Sequence, residues 1–449
     1  MKMIHKVLIA NRGEIAVRLI RACRELNIQT VAVYSTFDIE ALHCVLADES
    51  ICIGDHKAYL NQEAILQAAI NTGANAIHPG YGFLSENADF VRKCESLGIK
   101  FIGPKSEHID VMGDKVTARQ TMVAAGVPVV PGSAGLIETY EEALATAERI
   151  GYPILIKATA GGGGKGMRVC YETFKLKEAL TQAQQEGKAS FGNGGVYIEK
   201  FVENPRHIEV QVMGDEHGNA LHLYERECSV QRNNQKMIEE APVQNISDKT
   251  KARLYDVCVK ATKAIKYESL GTFEFIMDNE ENFYFIEMNT RLQVEHPITE
   301  LITGVDLVTE QIRIAEGRAI ELKQSDISVR GHAIEIRVNA EDPYNNFMPH
   351  AGMIKNLHFP GGNGVRVDSF VYPGYSIQPY YDSMIAKVIV FGRTRDEALE
   401  KAIRSLEEID VDGIVTNVDF QLEILLSEAF QDNDYSTSLV KTLLENEVI

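Results

Sequence analysis

Three short stretches of this chain hold residue types that act on phosphates and small anions. The first is Gly161-Gly162-Gly163-Gly164-Lys165-Gly166, between an apolar run that ends near Lys157 and the run Met167 to Cys170. Glycines let backbone N–H groups close on phosphate oxygens without Cβ clashes, and nearby lysines add charge. It is not a Walker loop, because Gly166 follows Lys165 where Ser or Thr is needed. A strand, a glycine run and a strand read as a phosphate flap, or more plainly as a flexible hairpin turn.

The second stretch pairs Glu274 in GTFEF with Glu287 and Asn289 in FIEMNTR. On neighbouring antiparallel strands Glu287 and Asn289 share a face, because side chains alternate, and Glu274 can face them. Two carboxylates and an amide oxygen suit Mg²⁺ bearing nucleotide phosphates. Alternatively, each carboxylate pairs with an arginine on a solvated sheet face.

The third, Asn289-Thr290-Arg291-Leu292-Gln293-Val294-Glu295-His296-Pro297, packs a guanidinium, an amide and a carboxylate into the turn after that strand. Arg291 suits bidentate binding of a small oxyanion and Glu295 suits proton transfer, with Pro297 stiffening the loop. Alternatively, Arg291 and Glu295 form a helical salt bridge four residues apart. Lys115, His207, Lys236 and Arg337 are weaker candidates. Each alone reads as a surface or ion-pairing residue, and His207 as a core histidine. Their company beside glycine-rich or acidic strands raises them.

The elements that must place these residues follow from alternation. VLIA, an amphipathic segment Glu14 to Leu26, TVAVYS, ICIG, Gln62 to Asn71 and FIGP near residue 101 give βαβ grammar, hence a parallel sheet covered by helices. After a helix from about Asp114 to Ala125, VPVVPGS reads as a hinge or linker. PILIKA, the glycine run, a helix through Ala183 and VYIEKFV form a small lid. Strands at 207–214, 219–225, 271–278 and 282–288, with a helix between Lys249 and Tyr267, read as an antiparallel α+β body. HAIEIRV, MIAKVIVFG and two helical stretches make a last domain.

With 449 residues, about three domains are expected at roughly 150 residues each. The predicted boundaries are 1–113, 114–330 with the lid at about 131–203, and 331–449. A net charge of -19 argues against nucleic acid or anionic lipid as a general partner, so bound phosphate needs a local cationic cluster. Seven scattered cysteines without a CxxC pair read as reduced thiols, and no run reaches the roughly 20 apolar residues of a membrane span. A cytoplasmic protein is expected.

Taken together, ANRGEIAVRLIRA, HPGYGFLSENADF, GGGGKGMRV, EKFVENPRHIEVQV, FIEMNTRLQVEHPITE and HAIEIRVNAEDP resemble the biotin carboxylase family of ATP-grasp ligases. The likeness runs from Ile4 to about Leu444. It implies a multidomain α/β and α+β protein: an ATP-grasp fold with an N-terminal Rossmann-like domain, a mobile lid and a C-terminal biotin carboxylase domain. Lys115 and Lys157 would hold nucleotide phosphates under a flap bearing Gly163 and Gly164. His207 would help hold the nucleotide, and Glu199, Lys200, Phe201 and Val202 would meet adenine. Glu274, Glu287 and Asn289 would bind Mg²⁺ or Mn²⁺. Lys236, Arg291, Gln293 and the Val294 N–H would form the bicarbonate pocket, with Glu295 as the base and Arg337 stabilising the biotin enolate.

The implied reaction is ATP- and bicarbonate-dependent carboxylation of biotin on a biotin carboxyl carrier protein. It would be the first half-reaction of acetyl-CoA carboxylase, with carboxyltransferase subunits as further partners and a homodimer as the assembly. Another acyl-CoA, pyruvate or urea carboxylase is the alternative setting. The chain stops at Ile449, which reads as a separate subunit. Asn233 and Asn234 stand where the family commonly has a basic residue and a histidine or aromatic, putting a nucleotide contact there in doubt. Lys165 stands where arginine is frequent. RLQVEHP and Arg337 argue against another carboxylate–amine ligase or a carbamoyl-phosphate-forming relative. A regulatory module without catalysis should lack Glu295 or a metal ligand, and all are present.

Overall fold

Alternate side chains of the first strand enter two different cores, and this places a sheet between two layers. In the computed structural model, which describes residues 3–158, 167–191 and 195–446, Val7 and Ile9 of β1 (Lys6–Ile9) pack with Leu19, Ile20, Leu307 and Ile312, whereas Leu8 packs with Val33, Ile65 and Phe90. With β2 (Gln29–Ser35), β3 (Glu49–Gly54), β4 (Ala76–His78) and β5 (Lys100–Phe101) it forms a parallel sheet of order β3-β2-β1-β4-β5. Burial on both faces is why β1, β2 and β4 read as continuous apolar runs, whereas β3 lies at the exposed edge. The expected βαβ unit is present, with helices Gly13–Glu25 and Gln62–Thr72 close to the predicted spans.

The chain divides into two compact units. The smaller comprises Pro128–Pro205 and Phe275–Ile286, and the larger holds the rest. In the smaller unit, β6 (Ile154–Ala158) pairs antiparallel with both β7 (Met167–Cys170) and β8 (Val196–Lys200). The strands around the glycine run therefore form the expected hairpin, while Gly163, Gly164 and Lys165 lie outside the described residues. One difference from the sequence reading concerns this unit: the helix continues through Phe191 rather than ending at Ala183. The division between the two units falls inside the VPVVPGS segment, after Val127, and the rest of the segment is tied into the smaller unit: Ser133 N–H donates to the Ile198 carbonyl at 2.7 Å and Lys200 N–H to Pro131 at 2.8 Å. A Cβ on Gly132 would come within 2.8 Å of the Ile198 oxygen, so glycine permits this close approach.

The larger sheet contains β9 (Arg206–Gly214), β10 (Ala220–Arg232), β11 (Gln235–Ala241), β12 (Ser269–Met277), β13 (Phe283–Asn289) and β14 (His332–Asn339). Its order is β13-β12-β9-β10-β11-β14, followed by the strands Met384–Gly392 and Val365–Ser369. The sheet thus runs on past residue 330. Strand β10 extends beyond the predicted 225, and β11 was not anticipated. Their sequence, ERECSVQR and KMIEEA, looks solvated, yet Glu225, Arg226, Glu227, Glu239 and Glu240 are all buried. Asn233 and Asn234 form the two-residue loop between the paired Arg232 and Gln235, with φ of 52° and 66°. Two consecutive positive φ values favour asparagine and glycine in such hairpins.

One buried cluster ties β11 and β14 to the C-terminal helices. Glu240 accepts from His332 Nε2 at 2.8 Å, Arg395 Nε at 2.9 Å and the Tyr435 hydroxyl at 2.6 Å. Burial alone would raise its pKa, but His332 and Arg395 outweigh burial and lower it to about 2. A carboxyl depressed in the folded state contributes stability above its unfolded pKa and loses it as pH falls. Removing one partner of such a cluster costs about 3–5 kcal/mol. Glu240→Ala should lose stability of that order in urea unfolding at pH 7, and the difference from the parent should shrink as pH falls from about 4.5 toward 2.

Candidate active site

The turn after β13 and one face of the large sheet bring ionised side chains together in the larger unit. Lys236, from the start of β11, donates from Nζ to Glu209 at 2.6 Å, Glu295 at 2.7 Å and Glu274 at 3.0 Å. Glu209 comes from β9 at the alternate position to His207, so the two share a face. Arg226 of β10, fully buried, pairs with Glu209 and donates to Gln211 at 2.8 Å and Thr299 at 2.9 Å. Arg337 of β14 binds Glu239 at 2.7 Å and Glu295 at 2.9 Å.

Glu295 has no exposed surface. Burial would raise its pKa, yet Lys236, Arg337 and Arg226 hold the carboxyl well below the ordinary range. Burial pushes Glu209 up despite Arg226 and Lys236, and raises Glu239 to about 7. Burial draws the Lys236 ammonium down, but its carboxylate neighbours reverse this, so it stays charged. Four carboxyl groups therefore surround three cations, and the charge concentrates where Lys236 and Arg337 meet Glu295. Both Glu295 oxygens are thus engaged by cations, so its low proton affinity depends on those hydrogen bonds.

Glu274 is saturated with donors. Its Oε1 accepts from Lys236, from Asn289 Nδ2 at 2.7 Å and from Gln293 Nε2 at 3.2 Å, while Oε2 lies 3.1 Å from His207 Nε2. Despite burial, Lys236 and His207 hold it strongly acidic. Glu287, though its side chain reaches the surface, behaves oppositely: partial desolvation by the surrounding protein raises its pKa and the like charge of Glu274 adds to this, with Lys115 acting against it. Lys115 opens the helix Lys115–Ala124, whose N-terminus Asp114 caps. The oxygens of Glu274, Glu287 and Asn289 are of the type that suits Mg²⁺, and those of Glu274 and Asn289 now accept from Lys236, Gln293 and Arg291, which a bound cation would displace.

Arg291 is held in a fork by Glu86 at 2.9 Å, Asn289 Oδ1 at 2.8 Å and Gln293 Oε1 at 2.9 Å. The helical Arg291–Glu295 salt bridge does not form: each residue has other partners. Glu295 is instead the residue before the helix His296–Thr303, and Pro297 sits in that helix's first turn rather than in a loop. The arginine-paired alternative for Glu274 also fails, since its partners are a lysine, a histidine and two amides. His207 is buried, as a core histidine would be, but it bonds to Glu274.

In the smaller unit, Lys157 pairs with Glu199 across β6 and β8. The N–H groups of Lys200 and Phe201 already donate to the Pro131 and Pro153 carbonyls at 2.8 Å and 3.0 Å. Of the backbone groups expected to meet adenine, those two donors are thus engaged within the unit. Lys200 Nζ donates to the Tyr152 carbonyl at 2.7 Å.

Sequence reasoning missed Glu86, Glu209, Arg226 and Glu239. Glu209 could have been found from its alternation with His207 in PRHIEVQV. Arg226 carries no local signal, because only the fold shows that it is enclosed.

The geometry agrees with what this chain is similar to. Residues 3–109 match the family "Biotin carboxylase, N-terminal domain", residues 335–442 the "Biotin carboxylase C-terminal domain", and residues 114–323 the "Carbamoyl-phosphate synthase L chain, ATP binding domain". Biotin carboxylase 1 of Bacillus subtilis (strain 168) is 54% identical over 444 residues, covering 98% of this chain and 99% of that protein. The dimeric biotin carboxylase domain of Hydrogenobacter thermophilus 2-oxoglutarate carboxylase, solved with MgADP, ADP and bicarbonate, superposes with a TM-score of 0.90 at 47% identity over 99% of both chains. The biotin carboxylase subunit of a pyruvate carboxylase gives 0.91 at 49% identity, again over 99% of both. By the three family models that together span almost its whole length, and by its 54% identity to a relative of the same length, the chain belongs to the biotin carboxylase family of ATP-dependent ligases.

Proposed function

We propose that this chain uses ATP and bicarbonate to carboxylate biotin on a biotin carboxyl carrier protein, with the Lys236–Glu295–Arg337 cluster as its reaction centre. The observation that carries this is Glu295, fully buried and bonded on one oxygen to Lys236 and on the other to Arg337. Bicarbonate, a planar anion, suits Arg291, Lys236, Gln293 and the Val294 N–H as donors. Glu295 takes its proton, and the freed oxygen attacks the γ-phosphorus of ATP to give carboxyphosphate and ADP. Carboxyphosphate yields CO₂ and phosphate. The phosphate removes the biotin ureido proton, Arg337 stabilises the enolate oxygen, and the ureido nitrogen attacks CO₂.

Glu274, Glu287 and Asn289 would hold Mg²⁺, which when bound neutralises charge on the nucleotide phosphates. Lys115, Lys157, His207 and the flap bearing Gly163 and Gly164 are assigned to the nucleotide, and Glu199 to Val202 to its base. Lys157 must leave Glu199 to meet a phosphate. We retain 1–113, 114–330 and 331–449 as domain boundaries, with the lid at about 131–203.

Acetyl-CoA carboxylase is the proposed setting, with carboxyltransferase subunits as partners, a homodimer as the assembly and the cytoplasm as the compartment. No helix among the described residues is long and apolar enough to cross a membrane. The structural likeness to domains of 2-oxo-acid carboxylases favours a second reading, in which the final acceptor is a 2-oxo acid. Supplying carrier, transferase and either acetyl-CoA or a 2-oxo acid, and following labelled carbon into product, separates the two.

Glu295→Gln should lower bicarbonate-dependent ATP turnover by about 10²–10⁴-fold with ATP affinity retained. Arg337→Ala should lower carboxybiotin formation by about 10²–10³-fold while affecting nucleotide binding less. Unchanged rates in a coupled ADP assay would refute the respective role. Chelation should abolish turnover and Mg²⁺ or Mn²⁺ restore it, and Glu287→Gln should require more metal for half-maximal rate.

A further inference from the structure

Lys387 is a cation to which the proposed chemistry assigns no task. It projects from the strand Met384–Gly392, directly opposite Arg337 in the antiparallel register, and has no exposed surface. Its Nζ donates to the Val294 carbonyl at 2.7 Å and stands 3.3 Å from Glu14 Oε1. A buried ammonium is costly unless paired and hydrogen-bonded. Burial pulls this one down, and Glu14, Glu335 and Asp368 more than offset the pull.

Two peptide planes set where bicarbonate would meet its base. The plane between Gln293 and Val294 contains the Val294 N–H, and its carbonyl accepts from His296 Nδ1 at 2.8 Å. The plane between Val294 and Glu295 contains the carbonyl that Lys387 holds. Across the same rung of the sheet, Arg337 holds the Glu295 carboxylate at 2.9 Å. Lys387 therefore holds the peptide that leads into Glu295, through the Val294 carbonyl, while Arg337 holds the Glu295 side chain.

We infer that Lys387 is a positioning residue: by fixing the Val294–Glu295 peptide it aims the Glu295 carboxylate at bicarbonate. The inference rests on the assignment of Glu295 as base. A misplacement of about 1 Å in such a group costs up to about 10²-fold in rate. The competing explanation is a structural counter-charge for Glu14. The other neighbouring carboxylates need Lys387 less. Asp368 is bound on both oxygens by Arg366 at 2.9 Å and 2.7 Å, and burial raises Glu335 well above the ordinary range.

The test compares Lys387→Met with the double variant Lys387→Met, Glu14→Gln, which removes both ionisable groups of the pair. Melting midpoint, Mg-ATP affinity and bicarbonate-dependent turnover per ATP-binding site are measured on the full chain. Lys387→Met should melt earlier and turn over about 10–100-fold more slowly. The double variant should regain stability and keep parental ATP affinity, yet remain slow. Recovery of turnover together with stability would overturn the inference. If the double variant does not fold, Lys387→Arg decides, because it keeps a cation and a donor. It should turn over at least about tenfold faster than Lys387→Met, and equal rates in the two would overturn the inference. A Glu295→Gln protein with parental turnover would remove the base assignment itself. A slow Glu295→Gln beside a fast double variant would remove only the role of Lys387.

Discussion

The Lys236 ammonium, held at once by Glu209, Glu274 and Glu295, is the interaction on which the larger unit's site depends. Three carboxylates from three separate elements would repel one another if buried without it. The lysine makes their convergence affordable, and they in turn keep it charged in a place where burial would otherwise neutralise it. The cluster is conditional for the same reason. Loss of any one of the three carboxylates would change the hold of Lys236 on the other two, because all three share one nitrogen.

The sheet supplies the geometry. In its register Glu239 faces Glu335 and Arg337 faces Lys387, so alternate residues of adjacent strands make a row of ionisable side chains on one buried face. The helix His296–Thr303 packs against β10, β11 and β14 and begins directly after Glu295. Thr299 on that helix hydrogen-bonds Arg226, which joins the cover to the sheet beneath it. A buried polar network of this kind favours a single arrangement, because a slip of one residue would strand several charges at once.

Where side chains follow hydrophobic period, the sequence was readable. The parallel sheet of the first hundred residues, the hairpin of β6 and β7, and the strands bearing Glu274 and Glu287 all follow from apolar alternation. β10 beyond residue 225 and β11 were hidden because Arg226, Glu227, Glu239 and Glu240, residues that patterning assigns to solvent, are buried there among the apolar ones. The bonding of Glu295 was illegible for a related reason. Its nearest candidate in sequence, Arg291, is claimed by Glu86, 205 residues away, whereas its actual partners come from β11 and β14. Spacing identified the residues, and long-range topology decided their pairing.

The central claim is that Lys236 and Glu295 activate bicarbonate for attack on the γ-phosphate. It is tested most directly by isotope transfer. With ¹⁸O-labelled bicarbonate, MgATP and biotin, the parent chain should release inorganic phosphate bearing one labelled oxygen, and Lys236→Gln should bind ATP yet release almost none. Labelled phosphate at the parental rate from Lys236→Gln, or phosphate whose new oxygen comes from water in the parent, would contradict it.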